Sequence, residues 1–326
     1  MTTQPQRPAA PRPLPRPAPP EALPLVVVVG PTASGKTTLA LALARALGGE
    51  IVSADSQQIY RLLELGTAKP TAEQRASVPH HLVDFLDPVE TLSAGEFARR
   101  ADEAIADIHG RGLVPVVAGG TGLWVRALLL GIVESPPPDL SLRARLEQQA
   151  AQQGREAVHA RLAALDPETA VAIPPRNLVR VIRALELHAL TGELPSALRA
   201  RHGFGRLRYR ARVLGLSPSR EELYRRIDQR TRAMFAAGLV EEVRGLVARG
   251  LREAPALRAL GYPQALEALE GRLPLEAAIA ATAQATRHYA KRQLTWFRAD
   301  PLVEWLGWPP DPGALAEGLR ATLPRS

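Results

Sequence analysis

Cysteine is absent from the 326-residue chain, which excludes a disulfide framework and any thiolate metal site. No run of eighteen or more apolar residues occurs, so the sequence offers no membrane-spanning helix. The N-terminal stretch lacks the apolar h-region of a secretion signal. A cytoplasmic protein with no membrane partner is expected. Internal repeats are missing too. Lysine is nearly so: Lys36, Lys69 and Lys291 are the three lysines among 41 Lys and Arg residues. Lysine is a compact point charge and arginine a planar fork. Its retention at Lys36 points to a site that needs the compact ammonium, while chance retention at Lys69 and Lys291 stays open.

What is present is a hydrophobic fraction of 46%, enough for a full core, and a net charge of +8 with a pI near 10.5. A basic balance suits an anionic partner such as nucleic acid. An arginine-rich genome would give the same balance. Residues 1–24 are dominated by proline, with Arg7, Arg12 and Arg16 interspersed. They are expected to form a disordered tail with polyproline II character. Order is expected from Leu25. Leu25–Val29 is a short, fully apolar run of the kind found in buried parallel strands. A helix follows from Thr37 to Leu47, stopped by Gly48-Gly49. Further strands are expected at Ile51–Ser53 and Val114–Ala118, with helices near Ala94–Gly110 and Leu123–Leu130. This alternation predicts a parallel sheet with ligands at the carboxyl ends of its strands. Ser135-Pro136-Pro137-Pro138 then mark a boundary. Residues 139–207 read as helices only. A strand returns at Arg210–Leu216, before helices at Arg220–Ala237, Val240–Arg249 and Leu275–Arg298. The expected architecture is an α/β core over 25–138 and 208–326, a parallel sheet flanked by helices as in P-loop NTPases. An all-helical insertion domain over 139–207 interrupts it.

Three motifs carry chemistry. Gly30-Pro31-Thr32-Ala33-Ser34-Gly35-Lys36-Thr37 fits the P-loop pattern between a strand and a helix. Its N–H groups cradle phosphate oxygens, Lys36 adds charge, and Thr37 is the expected magnesium ligand. Nucleotide-driven machines usually place an aspartate at the end of a second apolar strand to hold the metal. Here Val114–Ala118 ends in Gly119-Gly120-Thr121, which leaves kinases and transferases that use the loop as a grip. The second motif is Ser53-Ala54-Asp55-Ser56-Gln57-Gln58-Ile59-Tyr60. Asp55 stands at the ligand edge, either as a general base or as a helix cap. The third, Gly119-Gly120-Thr121-Gly122-Leu123-Trp124, is a turn able to bind an anion and to cap a helix. Pro79-His80-His81-Leu82 lacks a third ligand with metal spacing. It reads as structural or RNA-facing. Arg176, Arg180 and Arg183 are spaced to share one helix face, which suits a phosphate backbone or merely solvent.

These motifs in this order resemble the tRNA dimethylallyltransferases, also called tRNA isopentenyltransferases. The resemblance runs from about Val26 to Arg298. It rests on GPTASGKT at 30–37, SADSQQIY at 53–60, GTAKP at 66–70, PHHL at 79–82, GGTGLW at 119–124, RALE at 183–186 and TRHYAKRQLTWFR from Thr286. It implies transfer of a dimethylallyl group from dimethylallyl diphosphate to N6 of adenosine 37, in tRNAs reading codons that begin with U. It further implies that the ATP-binding type of loop, residues 30–37, grips the diphosphate with Mg2+, aided by Arg230. Asp55 would take the proton, and Thr121 would assist at the reacting end. Ser56, Gln57 and Gln58, with Asp55 and Thr121, would contact the tRNA nucleoside. Arg143, Arg180 and Arg183 would hold the anticodon stem-loop of the tRNA. A monomer is expected. The chain departs from the family in three places. Leu62-Leu63-Glu64-Leu65 replaces a usual Gly-Met-Asp-Ile, Trp124 replaces a frequent tyrosine, and Arg176-Asn177-Leu178-Val179 stands where an aspartate is usual shortly before the arginine pair. A small-molecule kinase, an RNA-binding protein with a relic P-loop and an isopentenyltransferase acting on free adenylate remain alternatives.

Overall fold

The computed structural model describes residues 13–133, 136–202 and 205–322. Its elements begin with β1 (Pro24–Val29), α1 (Lys36–Leu47), β2 (Gly49–Ser53), α2 (Ala72–Ser77), β3 (His80–His81), α3 (Ala94–Gly110), β4 (Val114–Gly119) and α4 (Gly122–Leu130). Five helices follow: α5 (Leu140–Gln153), α6 (Arg155–Leu165), α7 (Pro167–Ala172), α8 (Leu178–Thr191) and α9 (Pro195–His202). The chain continues through β5 (Arg210–Gly215), α10 (Arg220–Ala236), α11 (Leu239–Ala248), α12 (Tyr262–Leu269), α13 (Leu275–Arg298), β6 (Val303–Trp305) and α14 (Pro312–Thr322). Two compact units result, 1–130 with 207–326, and 131–206.

In the first unit the strands form a parallel sheet in the order β3-β2-β4-β1-β5-β6. Parallel neighbours require crossovers, so both faces carry helices and the central strand is apolar throughout. Accordingly Leu25 to Val29 have no exposed surface. Helix α1 leaves the sheet through Gly35, whose φ of 90° lies in the left-handed region. It ends at Gly48, which donates its N–H to the Ala44 carbonyl. Gly49, expected to help stop α1, instead opens β2; a Cβ there would stand 2.1 Å from the Val114 carbonyl oxygen. Helix α3 starts at a capping box, Ser93 with Glu96. The strands β3 and β6, of 2 and 3 residues, were not expected from the sequence.

The disordered tail expected over 1–24 needs correction where the structure describes it. The Arg16 carbonyl accepts from the Leu207 N–H at 3.0 Å, the Ala22 carbonyl from Arg210 Nε at 2.8 Å, and the Pro24 carbonyl is bonded to His109 Nε2 at 2.8 Å. Proline lacks a donor but keeps its carbonyl, and these acceptors are enough to pin the segment. Residues 1–12 lie outside the described residues, as do Glu134 and Ser135 at the expected domain boundary.

The second unit is helical throughout its described elements. Its core joins Leu146, Val158, Leu162, Val181 and Ile182. Two buried carboxylates organise its polar side. Asp166 accepts from Thr169 N–H, Thr169 Oγ1 and Ser196 N–H, at 3.0, 2.6 and 2.8 Å. Glu186 accepts from Arg143 through Nε and Nη2, both at 2.8 Å, from Asp139 N–H at 2.8 Å, and from Arg183 Nη1. The shared face expected for Arg176, Arg180 and Arg183 is partly wrong. Asn177 is the residue flanking α8, so Arg176 precedes the helix. Arg176 lies in a turn closed by the Asn177 N–H on the Pro174 carbonyl at 2.9 Å.

Candidate active site

The carboxyl ends of β1, β4 and β2 lie side by side, so the three motifs meet at one sheet edge. The approach is close: Ala54 N–H donates to the Ala118 carbonyl at 2.8 Å, and Thr121 N–H to the Ala54 carbonyl at 3.2 Å. A Cβ on Gly119 would stand 2.1 Å from the Ala54 oxygen, so glycine is required there.

Lys36 opens α1, and its ammonium donates to the Pro31 carbonyl at 3.3 Å. Burial lowers the Lys36 pKa from 10.5 to about 8, with Asp55 raising it again in part and Arg230 lowering it further. Arg230, on α10, donates to Thr32 Oγ1 at 3.4 Å. Burial also pushes its guanidinium pKa down, against the pull of Asp55. Two half-buried cations thus face one phosphate loop, with the Asp55 carboxylate near enough to act on both. That is the charge pattern of a site for a multiply charged anion.

Asp55 accepts from the Gln57 N–H at 3.0 Å. This is a local turn, and the residues after it are not helical, so the capping alternative falls away. The carboxylate lines two cavities. One is small and bounded by Lys36, Thr37, Ser53, Gln58, His80 and Gly119. The other is a cleft bounded by Thr32, Gln57, Arg230, Tyr289 and Gln293, with Ile227, Met234 and Leu260 as apolar wall. Thr37 and Asp55 offer hard oxygen donors in the small cavity, and such donors fit a divalent cation of the magnesium type.

Thr121 does not spend its hydroxyl on capping α4. Its Oγ1 accepts from Ser56 N–H at 3.0 Å and donates to Ser56 Oγ at 3.3 Å. Gln58 reaches the next motif, donating to the Ala68 carbonyl at 3.1 Å. Lys69, in that loop, is buried between Glu64 and Asp84 at 2.8 and 2.6 Å, a structural ion pair. Of the histidine pair, His81 is structural, its Nε2 bonded to Glu50 at 2.6 Å. His80 is anchored through Nδ1 to the Val78 carbonyl at 2.7 Å and borders the small cavity. No metal-binding cluster occurs among the described residues.

Sequence reasoning missed Tyr289 and Gln293 as site residues. Burial and the Asp55 charge push the Tyr289 phenol up to about 12, opposed by its hydrogen bonds to Thr121 and Gln293. The available signal was the spacing of Thr286, Tyr289, Gln293 and Trp296, which puts all four on one side of α13. Arg143, Arg180 and Arg183 lie in the second unit, outside this cluster, with Arg180 exposed.

The sheet, the loop and the carboxylate define an α/β enzyme of the P-loop class. Residues 58–300 match the family model described as IPP transferase. The tRNA dimethylallyltransferase of Anaeromyxobacter dehalogenans (strain 2CP-C) is 57% identical over 292 residues, covering 90% of this chain and 97% of that protein. That of Myxococcus xanthus (strain DK1622) is 56% identical, over 90% and 95%. Among solved structures, the full-length tRNA isopentenylpyrophosphate transferase of Bacillus halodurans superposes with a TM-score of 0.67 at 39% identity, over 92% of this chain and 96% of that one. A eukaryotic dimethylallyltransferase acting on tRNA gives a TM-score of 0.78 at 25% identity, over 94% and 81%. The chain belongs to the IPP transferase family. No helix among the described residues is long and apolar enough to cross a membrane.

Proposed function

We infer that the chain is a tRNA dimethylallyltransferase. It moves the dimethylallyl group of dimethylallyl diphosphate onto N6 of adenosine 37 in tRNAs that read codons beginning with U. The observation that carries this reading is the position of Asp55. It lines the small cavity with Lys36 and Thr37 and also the larger cleft with Arg230 and Tyr289, so one carboxylate serves both reactants.

The diphosphate rests on the N–H groups of residues 30–37, neutralised by Lys36 and Arg230. Mg2+, held by Thr37, supplies further neutralisation of the leaving group when bound. Adenine enters on the side of Ser56, Gln57 and Thr121. Anticodon-loop bases are splayed and can be turned out into such a pocket. N6 attacks the allylic carbon, the carbon–oxygen bond breaks, and diphosphate departs with the electron pair. N6 has become acidic, and Asp55 takes its proton, leaving a neutral secondary amine. Arg180, exposed on α8, supplies affinity for the stem-loop, while Arg143 and Arg183 are held largely by Glu186. The enzyme works as a monomer in the cytoplasm, where its tRNA substrate is found.

Incubation with labelled dimethylallyl diphosphate and unmodified tRNA should give labelled N6-dimethylallyladenosine. Asp55→Asn should lower kcat by about 10²–10⁴-fold, the usual worth of a positioned base, with diphosphate binding nearly unchanged. Near wild-type turnover in that variant would remove Asp55 from the base role. Label found only on a free nucleotide would replace tRNA as the substrate.

A further inference from the structure

Helix α13 carries the run from Thr286 to Trp296, which no step of this reaction uses. Within it Gln293 is 5% exposed. Its Oε1 accepts from the Thr32 N–H at 2.8 Å, and its Nε2 donates to the Gly120 carbonyl at 3.0 Å. An N–H can only donate and a carbonyl can only accept, so these partners fix the orientation of the amide. A Cβ on Gly120 would stand 2.2 Å from Nε2, and one on Gly122 2.1 Å from Cδ1 of Trp296. The glycines of that loop are therefore seated directly on α13. One turn earlier Tyr289 lines the same cleft as Gln293 and Thr32. A single helix face thus holds the phosphate loop at Thr32 and the Thr121 loop at Gly120.

We propose that Gln293 is a positioning residue: it sets the spacing between the phosphate loop and the Thr121 loop, and through it the alignment of the allylic carbon with N6. The proposal rests on the functional reading above. Rates of oriented reactions are steep in geometry, about 10²-fold for a misplacement near 1 Å. Each loop can still bind its own ligand when their spacing is lost. Binding and turnover should therefore separate.

The test uses the full-length chain, inorganic diphosphate, unmodified tRNA and dimethylallyl diphosphate. Q293M is close in volume and uncharged, and offers neither an acceptor to Thr32 nor a donor to Gly120. Its kcat should fall about 10–100-fold, while Kd for inorganic diphosphate and for tRNA each stay within about threefold. G120A drives a methyl group into the amide and should behave alike. Q293A added to G120A should cost little more than either change alone, because the contact between residues 120 and 293 can be lost only once. Thermal melts show which variants fold, and Q293M and G120A suffice if Q293A does not. The proposal is overturned if kcat of Q293M stays within twofold of wild type. It is equally overturned if diphosphate binding weakens as much as kcat falls, or if the two losses multiply in the double variant. A wild type that transfers no dimethylallyl group to tRNA would instead overturn the functional reading, and the positioning role with it.

Discussion

Lys36 is a cation held where a cation is costly. Burial brings its pKa from 10.5 to about 8, so the folded chain prefers the neutral amine relative to the unfolded chain, and the ammonium weakens stability below pH 8 until an anion compensates it. Diphosphate is that anion. Binding should draw a proton onto Lys36 above about pH 8, and affinity should fall as pH rises further. Calorimetry of inorganic diphosphate binding at pH 8.5 in buffers of different ionisation enthalpy should show proton uptake, lost in Lys36→Ala; equal heats in all buffers would deny it. A second residue bears the mark of its neighbours in the family. Leu62 has φ of 68° and is 40% exposed, and it stands where the family resemblance puts glycine. A side chain in the left-handed region costs roughly 1–2 kcal/mol, and glycine returns part of that as unfolded-chain entropy. Leu62→Gly should stabilise the chain by about 0.5–1 kcal/mol in denaturant unfolding; a loss of stability would mean that the Leu62 side chain packs more than its exposure indicates. Lys36 and Asp55 were legible because each sits in a local motif whose spacing carries its chemistry. Gln293 was not, because its partners lie 261 and 173 residues away and only the folded sheet edge brings them to it.

At the level of elements, the longer strands were legible as apolar runs and the long helices from their periodicity, while β3 and β6 were too short to show either and α2, α12 and α14 were not expected. What defines β3 is a polar cluster. Glu50 on β2 has a side chain 8% exposed and binds Arg111, just after α3, at 2.7 Å through Nη2, and His81 on β3 at 2.6 Å. The Arg111 hydrogen bond, helped by His81, holds the Glu50 carboxyl at about 2 against an ordinary 4.5, despite burial. A depressed acid pKa stabilises the fold above the unfolded value, and that stabilisation disappears as pH falls through the folded one. The cluster should therefore contribute fully above about pH 4.5 and be lost by about pH 2, with an upper limit near 3 kcal/mol from the linkage relation. Glu50→Gln should be less stable than wild type at pH 7, and the gap should close toward pH 2. A gap independent of pH would locate the loss in packing rather than in the charge.

Over the whole molecule, the sequence pattern changes from strand–helix alternation to helices alone near residue 139, and the second compact unit spans 131–206. The role of its arginines was less legible, because spacing along a helix says nothing about what else a side chain holds. Arg143 and Arg183 both bind the fully buried carboxylate of Glu186, whose pKa those two arginines hold down against burial. Much of their charge is spent inside the unit, and Arg143→Ala should act mainly on its stability by leaving a buried acid short of partners. Arg180 is exposed on α8 and adds its charge to a chain already at +8. Binding to a polyanion releases about one counterion for each phosphate neutralised, so affinity falls with salt at a slope set by the number of contacts. Arg180→Ala should raise the KM for tRNA and flatten that slope by about one, with melting temperature and diphosphate binding unchanged. Titrating tRNA binding between low and physiological salt separates the two arginines: a changed slope for Arg180→Ala and a changed melting temperature for Arg143→Ala. If Arg180→Ala keeps the wild-type slope, the exposed face of α8 is only solvated, and the tRNA contacts of this unit must come from other residues.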